Sequence, residues 1–175
     1  PQDAMHQLLK DADVFITNVR RAGLQRLGLD HAQISRTCPR LIFAHLTAWG
    51  RDGEKATEPG YDRGAFWAGS GLADFLRADD DADEARFPGA IGDNTTALGL
   101  LAGINMALYQ RTNTGKGQLV DCCLFRSGIW VCGLPFPFYC CPHHAMQRGM
   151  HVSDAPCARL RRSSFTRPFC CPRQP

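Results

Sequence analysis

Asp11-Ala12-Asp13-Val14-Phe15-Ile16-Thr17-Asn18-Val19-Arg20 and, further along, Leu41-Ile42-Phe43-Ala44-His45-Leu46 hold two short apolar runs, and the residues between them decide the fold. Val14-Phe15-Ile16 is β-prone and bounded by Asp13 and Asn18, which predicts a short buried strand. The run from Leu41 to Leu46 is almost continuously apolar, as suits a strand covered on both faces of a parallel sheet. Between the two, Leu24 to Leu29 has the apolar spacing of a short helix, with Gly28 near its end. Asp30 is a good N-cap for a second helix through Ser35, and Cys38-Pro39 stops it, because proline disfavours helical geometry in the residue before it. Strand, helix and strand within about thirty residues predict a βαβ unit. The expected class is therefore α/β, a partial Rossmann-like parallel sheet with helices.

Working outward, Met5, Leu8 and Leu9 fall on one helical face. Gly50 to Gly60 is a loop rich in glycine, proline and charge. Tyr61 to Phe75 predicts a helix with the small residues Ala65, Ala68 and Gly69 on one side. The acidic run Asp79, Asp80, Asp81, Asp83 and Glu84 predicts a solvated surface loop. Phe87-Pro88-Gly89-Ala90-Ile91-Gly92-Asp93 is a turn that leads into a long apolar helix from Asn94 to Tyr109. Gly99 and Gly103 of that helix are four apart and allow close packing against another element. After a polar loop from Arg111 to Gln118, Leu119 to Phe125 resumes as a strand or a helix start.

From residue 133 the texture changes. Seven of the eleven prolines and five of the nine cysteines fall in 133–175, and apolar periodicity is lost. This segment has six Arg against one Asp, +5, which leaves −2 for residues 1–132 out of the formal +3. The expected division is thus a folded part, 1–132, and an irregular, disordered Cys/Arg/Pro-rich tail, 133–175, from a shifted reading frame or an unrelated extension. The slightly acidic folded part offers no nucleic-acid footprint. Cys38, Cys122, Cys123 and Cys132 show no disulfide-scaffold spacing, which points to a reduced, cytoplasmic interior. Cys140-Cys141-Pro142-His143-His144 lacks the two-residue spacers of a zinc site, so no metal is expected. No run of 18 apolar residues suggests a membrane span. The chain begins at Pro1 without Met, and a fragment is expected.

The order of motifs up to this point resembles the family III CoA-transferases, the CaiB/BaiF group related to formyl-CoA transferase and α-methylacyl-CoA racemase. Asp11 to Arg20 is similar to the family's "ADV…N-F-R-P-G". Leu24-Gln25-Arg26-Leu27-Gly28-Leu29 resembles "L-x-R-L-G-L", and Pro39-Arg40-Leu41-Ile42 with Trp49-Gly50 resembles "P-R-L-I-Y…S-G-F-G". Pro59-Gly60-Tyr61-Asp62 resembles "P-G-Y-D", Gly69-Ser70-Gly71 the following "S-G", and Gly92-Asp93 "G-D-x-x-x-G". Thr114 to Asp121 is close to "T-G-x-G-Q-x-V-D". These landmarks cover roughly residues 4 to 132. Val19 departs from the usual Phe, and Arg21-Ala22 replaces Pro before Gly23. The family's first strand and its glycine-rich substrate loop have no counterpart here.

The resemblance implies an acyl-CoA:carboxylate CoA-transferase with Asp93 as the nucleophile, working through an aspartyl anhydride and an aspartyl-CoA thioester. Read from the residues alone, Asp93 is a helix N-cap. The resemblance further implies CoA contacts from Asn18, Arg20 and Arg26, and a thioester pocket lined by Tyr61 and Asp62. It implies no permanently bound cofactor, coenzyme A entering as part of the substrate, with an acyl-CoA and a carboxylic acid acceptor as partners. Neither nucleic acid nor a membrane is expected, and a homodimer is implied for the full-length chain. Two alternatives stand beside transfer: an acyl-CoA racemase or isomerase of the same family, and a non-catalytic remnant or binding module. The racemases look like this fold with "G-H-D" in place of Gly60-Tyr61-Asp62, so Tyr61 removes one of their two proton carriers. None of His6, His31 or His45 lies beside these motifs in sequence.

Overall fold

In the computed structural model, residues 2–76, 83 and 89–133 are described. The acidic run, apart from Asp83, and the tail beyond Gly133 lie outside the described residues, and so do the expectations placed on them.

Three strands form one parallel sheet in the order β1-β2-β3. Strand β1 is Val14–Thr17, β2 is Ile42–Thr47 and β3 is Leu119–Cys123. Val14 stands opposite Ile42, and Phe43 opposite Leu119. The helices are α1 (Gln2–Asp11), α2 (Arg21–Arg26), α3 (His31–Thr37), α4 (Leu72–Phe75), α5 (Ile91–Thr114) and α6 (Leu124–Val131), with a π-helical turn at Asp62–Ala68. The βαβ unit expected in residues 11–50 is present, and Asp30 is the residue before α3. Gln33 Oε1 accepts from the Asp30 N–H at 3.3 Å, one half of a capping box.

Alternation along the strands sorts the core into layers. Phe43, Phe15 and Leu119 face one side, where they meet Leu9, Leu24, Leu29 and Ile34 of α1 to α3 and the connections between them. Ala44, Leu46, Val120 and Cys122 face the other side and meet Leu100 and Ile104 of α5. The centre of β2 is wholly buried, from Ile42 to His45. Strand β1, expected to be buried, is an edge among the described residues, and Ile16 is 61% exposed. Arg111, in the last turns of α5, donates to Asp13 Oδ1 at 2.7 Å and to the Arg40 carbonyl at 3.0 Å. It thereby ties the far end of α5 to the starts of β1 and β2.

The stretch expected as one helix, Tyr61 to Phe75, is broken. The Gly69 N–H reaches back five residues to the Gly64 carbonyl at 2.8 Å, and Ser70 Oγ donates to the Phe66 carbonyl. Gly71 then turns the chain with a φ of 82° before α4. Local side-chain and glycine effects override the apolar spacing there. Helix α5 starts three residues earlier than expected, at Ile91, with Ala90 before it at a φ of 66°. Asp93 is consequently in the first turn rather than at the N-cap.

Of the two glycines read as a packing face in α5, only Gly103 is used that way. A Cβ on Gly103 would lie 2.6 Å from Val120 Cγ1, whereas one on Gly99 would meet nothing within 4 Å. Gly103→Ala is expected to lower the unfolding free energy by about 1–2 kcal/mol, overpacking outweighing the gain in helix propensity. Gly99→Ala is expected to raise it by about 0.5–1 kcal/mol. Urea denaturation of the two variants checks this, and equal effects would contradict the packing described.

Candidate functional site

A cleft of about 950 Å³ opens where β1 and β2 end. In an open parallel sheet that is the edge at which loops and helix starts converge and ligands bind. One wall is the β1–α2 connection with Asn18, Arg20 and Arg21. A second is the end of β2 and the loop after it, from His45 to Tyr61. The third is the start of α5, with Asp93, Asn94 and Ala97.

The loop after β2 is folded back on itself by named contacts. Trp49 Nε1 donates to the Pro59 carbonyl at 3.2 Å, and the Trp49 ring is 5.9 Å from that of Phe125. A side chain on Gly60 would lie 2.6 Å from Ala48 Cβ, so the return passes close over the indole. Arg51 pairs with Asp30 at 3.6 Å, both largely buried, which fastens the loop to the start of α3. Tyr61 emerges from it 82% exposed, on the cleft and away from the core.

Asp93 is exposed to the cleft, and Asp62 lies beside it in the protein interior. Asp62 is 8% exposed, and neither carboxylate oxygen has a hydrogen-bond partner. Gly92 makes this approach possible: a Cβ there would overlap Asp62 Oδ1 and lie 2.6 Å from Phe66 Cβ. Thr96 Oγ1 donates to the Gly92 carbonyl at 2.7 Å and is fully buried, which holds the first turn of α5 in place. Desolvation raises the Asp93 carboxyl above the usual carboxylate range, and the neighbouring Asp62 charge adds to the rise. Perturbed carboxyl groups in a cleft mark functional-site candidates.

Of the residues singled out in the sequence, Asn18, Arg20, Tyr61 and Asp93 line this one cleft, and Asp62 lies against Gly92 beneath it. Arg26 does not reach it: it ends α2 on the exposed surface. Arg21, Arg51, Glu58 and His45 line the cleft without having been singled out. His45, between Ile42 and Trp49 and far in sequence from Asn18 and Asp93, is carried to the cleft by β2. Its Nε2 is 2.9 Å from the Val19 carbonyl and its Nδ1 is buried without a partner. The available signal was a polar residue inside an otherwise apolar strand. Among the described residues no group of three or more His, Cys, Asp or Glu converges as a metal site, and no helix is long and apolar enough to cross a membrane.

The family model for CoA-transferase family III matches residues 1–163, past Cys132 and into the segment with the altered composition. The (R)-2-hydroxy-4-methylpentanoate CoA-transferase of Clostridioides difficile is 34% identical over 131 residues, 75% of this chain and 33% of that protein. The cinnamoyl-CoA:phenyllactate CoA-transferase of Clostridium sporogenes is 33% identical over 130 residues, 74% of this chain and 31% of its own length. The chain thus spans about a third of the length of the curated relatives it matches. A crystal structure of a CAIB/BAIF family protein from Brucella suis superposes with a TM-score of 0.71 at 30% identity, covering 78% of this chain and 36% of that one.

The pairing of carboxyl groups has a direct test. A negative neighbour disfavours ionisation, so removing it lowers the pKa of the group that remains. Carboxyl-carbon NMR is expected to show Asp93 titrating above an ordinary Asp, and Asp62→Asn is expected to bring that titration down toward the usual range. An unchanged Asp93 titration in Asp62→Asn would contradict the coupling.

Proposed function

The chain belongs to CoA-transferase family III, and from that premise we propose that its cleft serves acyl-CoA:carboxylate CoA transfer with Asp93 as the nucleophile. The observation that carries the proposal is the placement of Asp93 in one cleft with Asn18, Arg20 and Tyr61, at the C-terminal edge of the parallel sheet.

An Asp93 carboxylate oxygen attacks the thioester carbonyl carbon, the C–S bond breaks, and CoA leaves as a thiolate. This produces a mixed anhydride between Asp93 and the donor acyl group. The thiolate attacks the Asp93 carbonyl of that anhydride and expels the donor carboxylate, giving an aspartyl-CoA thioester. The acceptor carboxylate then attacks this thioester, freeing the thiolate and forming a second anhydride. Attack of the thiolate on the acceptor acyl carbon yields the new acyl-CoA and restores the Asp93 carboxylate. The free N–H groups of the first turn of α5 lie beside Asp93 and can stabilise the oxyanions that form. Arg20 supplies a planar, fixed charge for phosphate groups. Its position on the wall opposite α5 suits the nucleotide part of CoA, with the pantetheine arm running toward Asp93.

Within the same family, α-proton exchange would need a second proton carrier facing Asp93. Tyr61 stands where the racemase pattern has His. His45 shares the cleft, but its Nε2 is engaged by the Val19 carbonyl and its Nδ1 is buried. Transfer is therefore the reading this arrangement favours. The proposal extends to a reducing, cytoplasmic setting, supported by the free cysteines Cys38, Cys122, Cys123 and Cys132. It extends also to a homodimer, supported by the exposed apolar side chains Leu98, Leu101 and Tyr109 on α5.

Asp93→Ala is expected to abolish transfer, and Asp93→Asn nearly so, because an amide is a far poorer nucleophile than a carboxylate. Tyr61→Ala should leave measurable activity. Arg20→Ala should chiefly raise the KM for CoA esters, by about tenfold or more, since a hydrogen bond to a charged group is worth about 1.5–3 kcal/mol. Steady-state kinetics with an acyl-CoA donor and a carboxylate acceptor check these outcomes. Full transferase activity in Asp93→Ala would return Asp93 to a helix-start carboxylate with no covalent role.

A further inference from the structure

Between β1 and α2 the chain must turn while presenting Asn18 and Arg20 to the cleft, and its middle residue is held from two sides. The Val19 N–H donates to Thr17 Oγ1 at 3.2 Å. The Val19 carbonyl lies 2.9 Å from Nε2 of His45. Both gripping side chains are buried, His45 at 1% and Thr17 at 8% exposure. The His45 ring is itself fixed edge-on to Phe43, with ring centroids 6.2 Å apart.

A carbonyl only accepts, so the Nε2 of His45 must carry the hydrogen, while Nδ1 is buried without a partner. A buried polar atom without a partner carries an energetic cost that a leucine or valine on this apolar strand would avoid. What the residue supplies in return is one donor aimed at one carbonyl, on the strand next to the loop. Gly23 completes the arrangement, since a Cβ there would lie 3.0 Å from Val19 Cγ1. The turn into α2 follows directly, with the Gly23 N–H donating to the Arg20 carbonyl at 2.8 Å.

We propose that His45 is a positioning residue for CoA-ester binding: with Thr17 it clamps the backbone of Val19 and so preorganises Asn18 and Arg20 for the nucleotide part of the substrate. The inference rests on the acyl-CoA reading above. Its physical content is that the loop is ordered when the protein folds, and binding then bears none of that ordering. Loss of the clamp thus weakens binding more than it slows chemistry, because the clamp touches neither Asp93 nor the reacting carbonyl.

The test uses coenzyme A itself as the probe, titrated calorimetrically into the protein and its variants, with circular dichroism showing that each is folded. His45→Ala removes the donor and is expected to weaken CoA binding about tenfold, roughly the value of one hydrogen bond to the backbone. His45→Gln, whose amide can still donate to the Val19 carbonyl, is expected to recover most of that loss. Thr17→Val, which removes the other grip at almost constant volume, is expected to weaken binding in the same sense. In turnover assays the KM for the CoA ester should rise by far more than kcat falls. Nitrogen-15 NMR should report the hydrogen of His45 on Nε2. Folded His45→Ala with wild-type CoA affinity, or His45→Gln no better than His45→Ala, would overturn the clamp. A wild-type protein with no affinity for CoA would contradict the acyl-CoA reading itself, so the two ideas fail by different results.

Discussion

The approach of the first turn of α5 to the π-helical turn at Asp62–Ala68 sets the geometry on which the site depends. At Gly92 the side chains of Asp62 and Phe66 come too close to the α5 backbone for any Cβ: a methyl group there would overlap the Asp62 carboxylate and press on Phe66. This contact fixes where α5 begins and hence where Asp93 stands. The rest of the helix secures that placement at a distance. Gly103 is pressed against Val120, Leu100 and Ile104 fill the space over Ala44, and Arg111 locks the far end to Asp13 and the Arg40 carbonyl. The nucleophile proposed here is thus held by the full length of a helix anchored to the sheet at several points.

The same contact brings two carboxyl groups together, one buried and one facing the cleft. A buried carboxylate without a hydrogen-bond partner is costly, and Asp62 has none for either oxygen. Its effect on Asp93 is to oppose ionisation, in the same direction as desolvation. A carboxylate that ionises less readily is also a stronger base and a better nucleophile once ionised, which suits attack on a thioester. The first turn of α5 and the arginines of the opposite wall carry positive potential into the same cleft. The cleft thereby combines a poised anion with a cationic wall, as the proposed transfer requires.

Much of the fold was legible in the sequence because the governing signals were local. The apolar runs at Val14 and Leu41 announced adjacent parallel strands, and Asp30 announced a helix start. Motif order singled out Asp93, Asn18, Arg20 and Tyr61, and the fold brings these four to one cleft. What was not legible depended on contacts between distant residues. Arg26 lies in the motif that follows the one holding Asn18 and Arg20, but the short helix α2 leaves it on the exposed surface. His45 falls in the gap of the motif that runs from Pro39 to Gly50, matches none of its quoted positions, and reaches the cleft through its position on β2. The break between the π-helical turn and α4 hides behind ordinary helical spacing, because a serine hydroxyl and Gly71 make it. The edge position of β1 depends on which strands lie beside it, and apolar content alone carries no record of that.

The central claim, covalent participation of Asp93, is tested most directly by mass spectrometry of the protein after incubation with an acyl-CoA. The account predicts a CoA thioester on the peptide that contains Asp93, discharged when a carboxylate acceptor is added. Turnover of acyl-CoA with no adduct on that peptide, or with the adduct on another residue, would contradict it.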